Sequence, residues 1–173
     1  MRISMKSKNA VLTLIGIALF FAFSNLFPGQ LHEVSGKVVA VQDGDTVTIL
    51  TDESKTIKVR LSQIDAPEKN QPFGQNSKQI LSDLVYLKEV SVIEDDTDRY
   101  GRVVGSLYMN DQDINAYMVQ KGAAWVYTQY VHDHNLYLLQ DEAKLEKRGL
   151  WALPEKDQIP PWKWRKEKRL RSK

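Results

Sequence analysis

Hydrophobic and polar positions divide the chain into regimes of different period. From Ala10 to Phe23 the run is apolar with no polar face, and no charged residue occurs from Asn9 through Leu31. Arg2, Lys6 and Lys8 precede it, the layout of a secretory signal, and Ala22-Phe23-Ser24 is a small-x-small cleavage site. The uncharged stretch is equally long enough for an uncleaved membrane anchor, which needs roughly 17–25 residues. Residues 1–27 are therefore assigned to a signal peptide or anchor and 28–33, with Phe27-Pro28-Gly29-Gln30 at its start, to a linker. Either reading places the following domain outside the cytoplasm, secreted or membrane-anchored.

From Val34 the period becomes two. Val34 to Val41 is rich in β-formers and ends at Asp43-Gly44, a turn signal. Thr46 to Leu50 and Thr56 to Leu61 alternate, separated by the polar turn Thr51-Asp52-Glu53-Ser54, so Val47 to Ser62 predicts a β-hairpin. Ile57, Val59 and Leu61 share one face, with Lys58 and Arg60 on the other. Asp45 shares parity with Val47 and Ile49, at the rim of the apolar interior. After Pro67 and Pro72 a helix is predicted, with Ile80, Leu81, Leu84 and Val85 at helical spacing. Val90 to Ile93 and Val103 to Tyr108 read as two further strands flanking a charged loop, Glu94 to Arg102. A short helix follows from Ile114 to Gln120, capped by Asp113 and stopped by Gly122. A last helix runs from about Leu136 to Arg148 and is stopped by Gly149. Five short strands with helices inserted late predict an α+β, mainly β domain over residues 34–153: a small five-stranded Greek-key barrel of the OB-fold type, not a parallel sheet. Residues 154–173 read as a basic, tryptophan-containing tail poor in structure signals.

Charge alters this picture more than composition does. The chain has 173 residues, 42% hydrophobic and 27% charged, as in ordinary globular proteins. It has no cysteine, which excludes a disulfide scaffold, a zinc–thiolate site and a cysteine nucleophile. The net charge of +2 conceals +3 in residues 1–8 and +6 in residues 163–173, which leaves −7 on the segment between them. General charge on the central domain cannot attract a polyanion. Nucleic-acid binding there needs a local site, with the tail as a separate attractor.

The candidate chemistry lies at the two ends of the predicted hairpin. Folding it back brings Asp45 toward Asp65, although they are twenty positions apart. Two carboxylates with carbonyl and water ligands suit Ca²⁺ better than zinc, and no histidine lies near. Glu68, just after Pro67, is placed to hold or deprotonate a water attacking phosphorus. Arg60 and Arg102 can each fork onto phosphate oxygens. Blander readings stand beside these: Asp43-Gly44 as a plain turn, Asp65 and Glu68 as solvated loop charges, Arg60 as a surface arginine, and Arg102 paired with Asp98 or Glu94.

In order, Asp43-Gly44-Asp45-Thr46, Arg60-Leu61, Ile64-Asp65-Ala66-Pro67-Glu68 and Asp98-Arg99-Tyr100-Gly101-Arg102 resemble the thermonuclease, or staphylococcal nuclease-like, family. The resemblance extends from about Val34 to Trp151, through Asn115-Ala116, Gly122 and Gly149-Leu150-Trp151. It implies an OB-fold barrel with three helices and a calcium-dependent endonuclease that hydrolyses DNA and RNA with little sequence specificity, leaving 3′-phosphate ends. By position, Asp45 and Asp65 would ligate Ca²⁺ through side chains and Ala66 through its carbonyl, with Asp43 in the outer shell. Glu68 would orient or activate water, and Arg60 and Arg102 would be catalytic phosphate clamps. The chain departs from the family pattern at Ala66, where threonine is frequent, and in a short, lysine-poor loop from Lys69 to Gln75. The alternative is a non-catalytic OB-fold nucleic-acid-binding module tethered to the membrane; the presence of Asp45, Arg60, Asp65, Glu68 and Arg102 together argues against it. A monomer is expected.

Other residues leave two readings open. Tyr127 or Tyr130 can stack on a base, or Trp125 and Tyr127 can pack into the core. His132 and His134 lack a third ligand for a metal. Trp162 and Trp164, set among basic residues, suit membrane headgroups, nucleic acid or a merely solvated tail.

Overall fold

Alternating strands such as Thr46 to Leu50 must bury one face, and here they do so by closing on themselves. A computed structural model describes residues 33–171. The signal or anchor segment and most of the linker lie outside the described residues. Strand β1 (Glu33–Val41) pairs antiparallel with β2 (Thr46–Leu50), which pairs with β3 (Thr56–Leu61). β4 (Ile64–Asp65) follows at once; β5 (Glu89–Thr97) returns to the far side of β1 and pairs with β6 (Val103–Met109). β6 then meets β3 in parallel, with Val59 opposite Val103, Arg60 opposite Val104 and Leu61 opposite Gly105. The order β3-β2-β1-β5-β6 is thus closed into the five-stranded barrel, and only this seam is parallel. β7 (Gln112–Asp113) extends β6, and β8 (Trp125–Val126) pairs with β4.

The apolar parity set fills the barrel. Val38, Val47, Ile49, Val59, Leu61 and Leu107 are wholly buried, each worth about 1.5–3 kcal/mol relative to exposure. Helix α1 (Gly74–Val85) adds Leu81 and Val85 to the same core, and α2 (Ile114–Gln120) adds Ile114, Met118 and Val119. The predicted cap is present: the Asp113 side chain accepts from the Ala116 amide at 2.9 Å. Asn115 ties the seam to α2. Its amide nitrogen donates to the Ser62 carbonyl at 2.9 Å, and its oxygen accepts from the Leu107 amide at 3.1 Å.

Three predictions need correction. Helix α3 (Asn135–Leu145) stops short of Arg148, because Lys147 (φ 53°) already turns left-handed ahead of Gly149 (φ 55°). β5 runs on into the charged stretch, so most of Glu94 to Arg102 is a bulged hairpin rather than a loop. The tail is not bare of structure: a fourth helix, α4 (Pro161–Arg171), follows Pro160 and begins at a proline, a residue suited to the first helical turn. The Trp162 ring stacks on Tyr127 at 5.4 Å with an 8° interplanar angle and meets Trp125 edge-on at 6.0 Å. Trp125 in turn meets Trp151 at 4.4 Å. Gln71 donates to the carbonyl of Ile159, and Gln158 to that of Leu153 at 2.7 Å. Aromatic packing and an amide hydrogen bond dock the start of α4 on the barrel, and an arginine one turn further on adds ion pairs to the barrel's acids. Among the described residues no helix is long and apolar enough to cross a membrane.

Candidate active site

Two close backbone approaches shape the site. Gly44 keeps a negative φ, so its glycine is required by space: a Cβ there would lie 1.8 Å from Ser77 Oγ and 2.8 Å from Ala66 Cβ. The Asp-Gly pair is thus a contact point between turn and α1 as well as a turn. At Gly74 a Cβ would sit 1.9 Å from the Glu68 carbonyl, so the start of α1 presses on the loop that carries Glu68. The Glu68 amide donates to the Gln71 side chain at 3.1 Å, which fixes that loop further.

The hairpin brings its two ends together as predicted. Asp45, 5% exposed, accepts from the Ala66 amide at 2.6 Å through Oδ2 and from Thr46 Oγ1 at 3.1 Å through Oδ1, and its Oδ2 forms an ion pair with Arg60 Nη2 at 3.2 Å. Arg60 is no surface arginine. Its Nη1 donates to the carbonyls of Leu61 (2.6 Å) and Ile64 (3.0 Å), and its Nη2 bridges Asp45 to Asp65 Oδ1 at 3.0 Å. Asp65 is 1% exposed. Asp43 lies outside this cluster and accepts from the Asp45 amide at 3.1 Å.

A residue that sequence reasoning did not single out completes the cluster. Arg165 of α4 grips Asp65 with both nitrogens, Nη2 to Oδ2 at 2.8 Å and Nη1 to Oδ1 at 3.1 Å. The same Nη1 donates to Glu68 Oε1 at 2.8 Å. The signal available in sequence was the Pro160-Pro161 helix start and the tail's charge; neither selects this arginine from its neighbours.

Arg102 stands apart. It directly precedes β6, next to Val103, which pairs with Val59 at the parallel seam. Its side chain is nevertheless paired with Asp98, Nε and Nη2 both at 2.8 Å from Oδ2. That is the blander pairing foreseen for it. Tyr127 is engaged by Trp162 and lies edge-on to Tyr130 at 4.8 Å, while Tyr130 is exposed. Tyr127 is therefore a docking surface for α4 and not a free stacking platform. His134 stacks on Tyr137, and the His132 amide is held by Gln63.

Electrostatics state what the cluster lacks. Burial pushes the Asp45 carboxyl up to about 8, opposed by Arg60 and reinforced by Asp43 and Asp65. Burial also raises Asp65, against the lowering effect of Arg165 and Arg60. For Arg165, burial pulls downward but the hydrogen bonds to Asp65 and Glu68 outweigh it, so its affinity for a proton rises. In the Asp98–Arg102 pair, burial is the largest single influence and raises Asp98, but the hydrogen bonds from Arg102 and the Tyr100 amide together outweigh it and lower the carboxyl. With Asp45 holding its proton the carboxyls of Asp45, Asp65 and Glu68 balance Arg60 and Arg165; once Asp45 ionises, one negative charge is left for a cation to compensate. All the donors are hard oxygens, so the set fits a hard divalent cation completed by carbonyl and water ligands. Among the described residues no group of three His, Cys, Asp or Glu side chains is arranged to hold a metal. Asp45 and Asp65 are thus the carboxylates on offer, and Arg165 holds both oxygens of one of them.

Comparison with known proteins bears on the family of the chain. A family profile described as staphylococcal nuclease homologue matches residues 58–153. An uncharacterized endonuclease of Haemophilus influenzae is 47% identical over 153 residues, covering 88% of this chain and 85% of that protein. An uncharacterized endonuclease of Escherichia coli is 44% identical, covering 87% of this chain and 95% of its own length. A protein named micrococcal nuclease from Shigella flexneri is 43% identical over 142 residues, 76% of this chain and 80% of that one.

Proposed function

The chain belongs to the family of staphylococcal nuclease homologues and is an endonuclease of the hydrolase class, and we propose that it is a calcium-dependent one. Its substrates in this reading are DNA and RNA, cut with little sequence specificity to leave 3′-phosphate and 5′-hydroxyl ends. The observation that carries the proposal is Arg60 bridging two buried carboxylates, with Glu68 three residues beyond the second of them. Arg102, just ahead of the strand that pairs with β3, exchanges Asp98 for a phosphate oxygen of the substrate.

Asp45, Asp65 and the Ala66 carbonyl are the groups that would hold Ca²⁺, with Asp43 supporting Asp45 from outside; the bound ion supplies electrostatic stabilisation to the phosphate. Glu68 accepts a proton from water as the oxygen bonds to phosphorus. The P–O5′ bond breaks, and the departing 5′ oxygen takes a proton from solvent. Two arginine forks oppose the charge that gathers on the equatorial oxygens. The apolar run Ala10 to Phe23 after three basic residues supports export, either cleaved or anchored.

The deciding experiment incubates the full chain with DNA and RNA, in Ca²⁺ or in excess chelator, and maps the product ends. Cleavage in Ca²⁺, arrest in chelator and 3′-phosphate ends are expected. Undiminished hydrolysis in chelator removes the metal from the reading, and oligonucleotide binding without cleavage leaves only a binding module. N-terminal sequencing of the exported form distinguishes signal from anchor.

A further inference from the structure

Helix α4 does more than send Arg165 into the site. Between it and the loop after Glu68 runs a groove of about 440 Å³. Lys69 and Asn70 line one wall, and Trp164, Lys168 and Arg169 the other. Glu68 and Arg165 close the end that reaches Asp65. The helical wall is one face, because Trp164 and Lys168, like Arg165 and Arg169, are four positions apart. Four cations against the single acid Glu68 give this lining +3 in a protein whose residues 9–162 carry −7. The volume suits one or two nucleotides of a single strand and not a duplex. Cations interleaved with a half-buried indole are what single-stranded nucleic acid uses: forks for phosphates and a ring face for a base.

We propose that this groove is a single-strand binding subsite of the nuclease, carrying the nucleotides beyond the scissile phosphate along α4. It rests on the nuclease reading and adds to it: the affinity that the acidic barrel cannot supply comes from the C-terminal helix. Arg165 is the junction. The aromatic stack of Trp162 on Tyr127 and the Arg165 pairs to Asp65 and Glu68 hold the helix without calling on Lys168 or Trp164, so the track is in place before substrate arrives.

The test titrates the full chain, in neutral detergent and chelator, with a fluorescein-labelled twelve-nucleotide thymidine strand at several salt concentrations. Lys168→Gln/Arg169→Gln is compared with the parent protein. Loss of two phosphate contacts should lower affinity about tenfold or more and flatten the slope of log K against log salt by about 1.4, from roughly 0.7 per contact. Trp164→Ala should lower affinity by about tenfold with the salt slope unchanged. In Ca²⁺, a dinucleotide should be cut by the double variant at the parental rate, while the KM for the twelve-mer rises. Parental affinity and slope in the double variant, with an unchanged melting temperature, overturn the proposal. So does failure of the parent to bind the strand. Glycerophosphoglycerol, the free headgroup of an anionic lipid, is the second probe: its binding lost in the double variant while strand affinity persists marks a lipid surface and also overturns it. If the parent binds the strand and the double variant does not, yet neither cuts any substrate, the groove stands and the nuclease reading falls. If both cut and both bind alike, the reverse holds.

Discussion

Arg60 in β3 and Arg102 just ahead of β6 stand at the two strands of the parallel seam, and the protein holds them in opposite ways. Arg60 has three acceptors and a further ion-pair partner, all from its own hairpin or the five residues after it, and its side chain is 14% exposed. Arg102 has one ion-pair partner, the half-buried Asp98, and lies over the Tyr100 ring, all within the turn of its own hairpin. The first is a fixture: its guanidinium is aligned before substrate arrives, and removing it exposes a charge imbalance in the core. The second is exchangeable, because a surface pair of this kind is worth little and a phosphate can replace the carboxylate. One end of the site is therefore preorganised and the other is recruited.

Mutating Arg60 to alanine should break the contrast most severely. Activity on a long strand falls by about 10²–10³-fold, and stability falls too, because Asp45 and Asp65 lose a buried partner, a loss costing about 3–5 kcal/mol. Single-turnover rates and thermal melting check the two effects separately. Arg102→Ala should lower kcat to a similar or lesser degree yet leave stability within about ±0.5 kcal/mol. Equal destabilisation by the two substitutions would erase the distinction.

A smaller effect concerns pH. The Asp45 carboxyl is raised by burial to about 8, so between its ordinary value and 8 the folded state holds a proton that the unfolded state has lost. Stability in the absence of metal therefore falls as pH rises through that window. Asp45→Asn should melt higher than the parent in chelator, and the gap should widen by several degrees from pH 5 to pH 8. A gap that stays constant shows the carboxylate to be ionised throughout. The smallest effect belongs to Asp98→Asn: melting should move by no more than a degree or two, while the KM for substrate falls as Arg102 is released.

Much of this was legible in the chain because it is set locally. Strand alternation around Val47, Ile49, Val59 and Leu61 depends on neighbours two positions away, and Asp45, Arg60 and Asp65 meet through a single hairpin. The reason for Gly44 was not legible, since a negative-φ glycine looks in sequence like any turn glycine, and its demand comes from Ser77 on a helix. Arg165 was hidden for a stronger reason. It reaches Asp65 across 100 positions, and nothing in the tail's periodicity distinguishes it from Lys163 or Lys168. Its selection depends on Trp162 finding Tyr127, a packing event between two aromatic positions whose partners alternation does not specify.

The parallel seam has a consequence in time. Joining β3 to β6 closes a loop from Val59 to Val103, and docking Arg165 on Asp65 closes one of 100 positions. The Asp45–Arg60 hairpin closes within fifteen. Long-range closures slow folding more than they weaken the product, because their entropy is lost before their contacts form. A chain collapsing from the extended state is thus expected to assemble its acids and Arg60 first, Arg102 next and the C-terminal helix last. The catalytic corner would exist as a local nucleus before it has a substrate track.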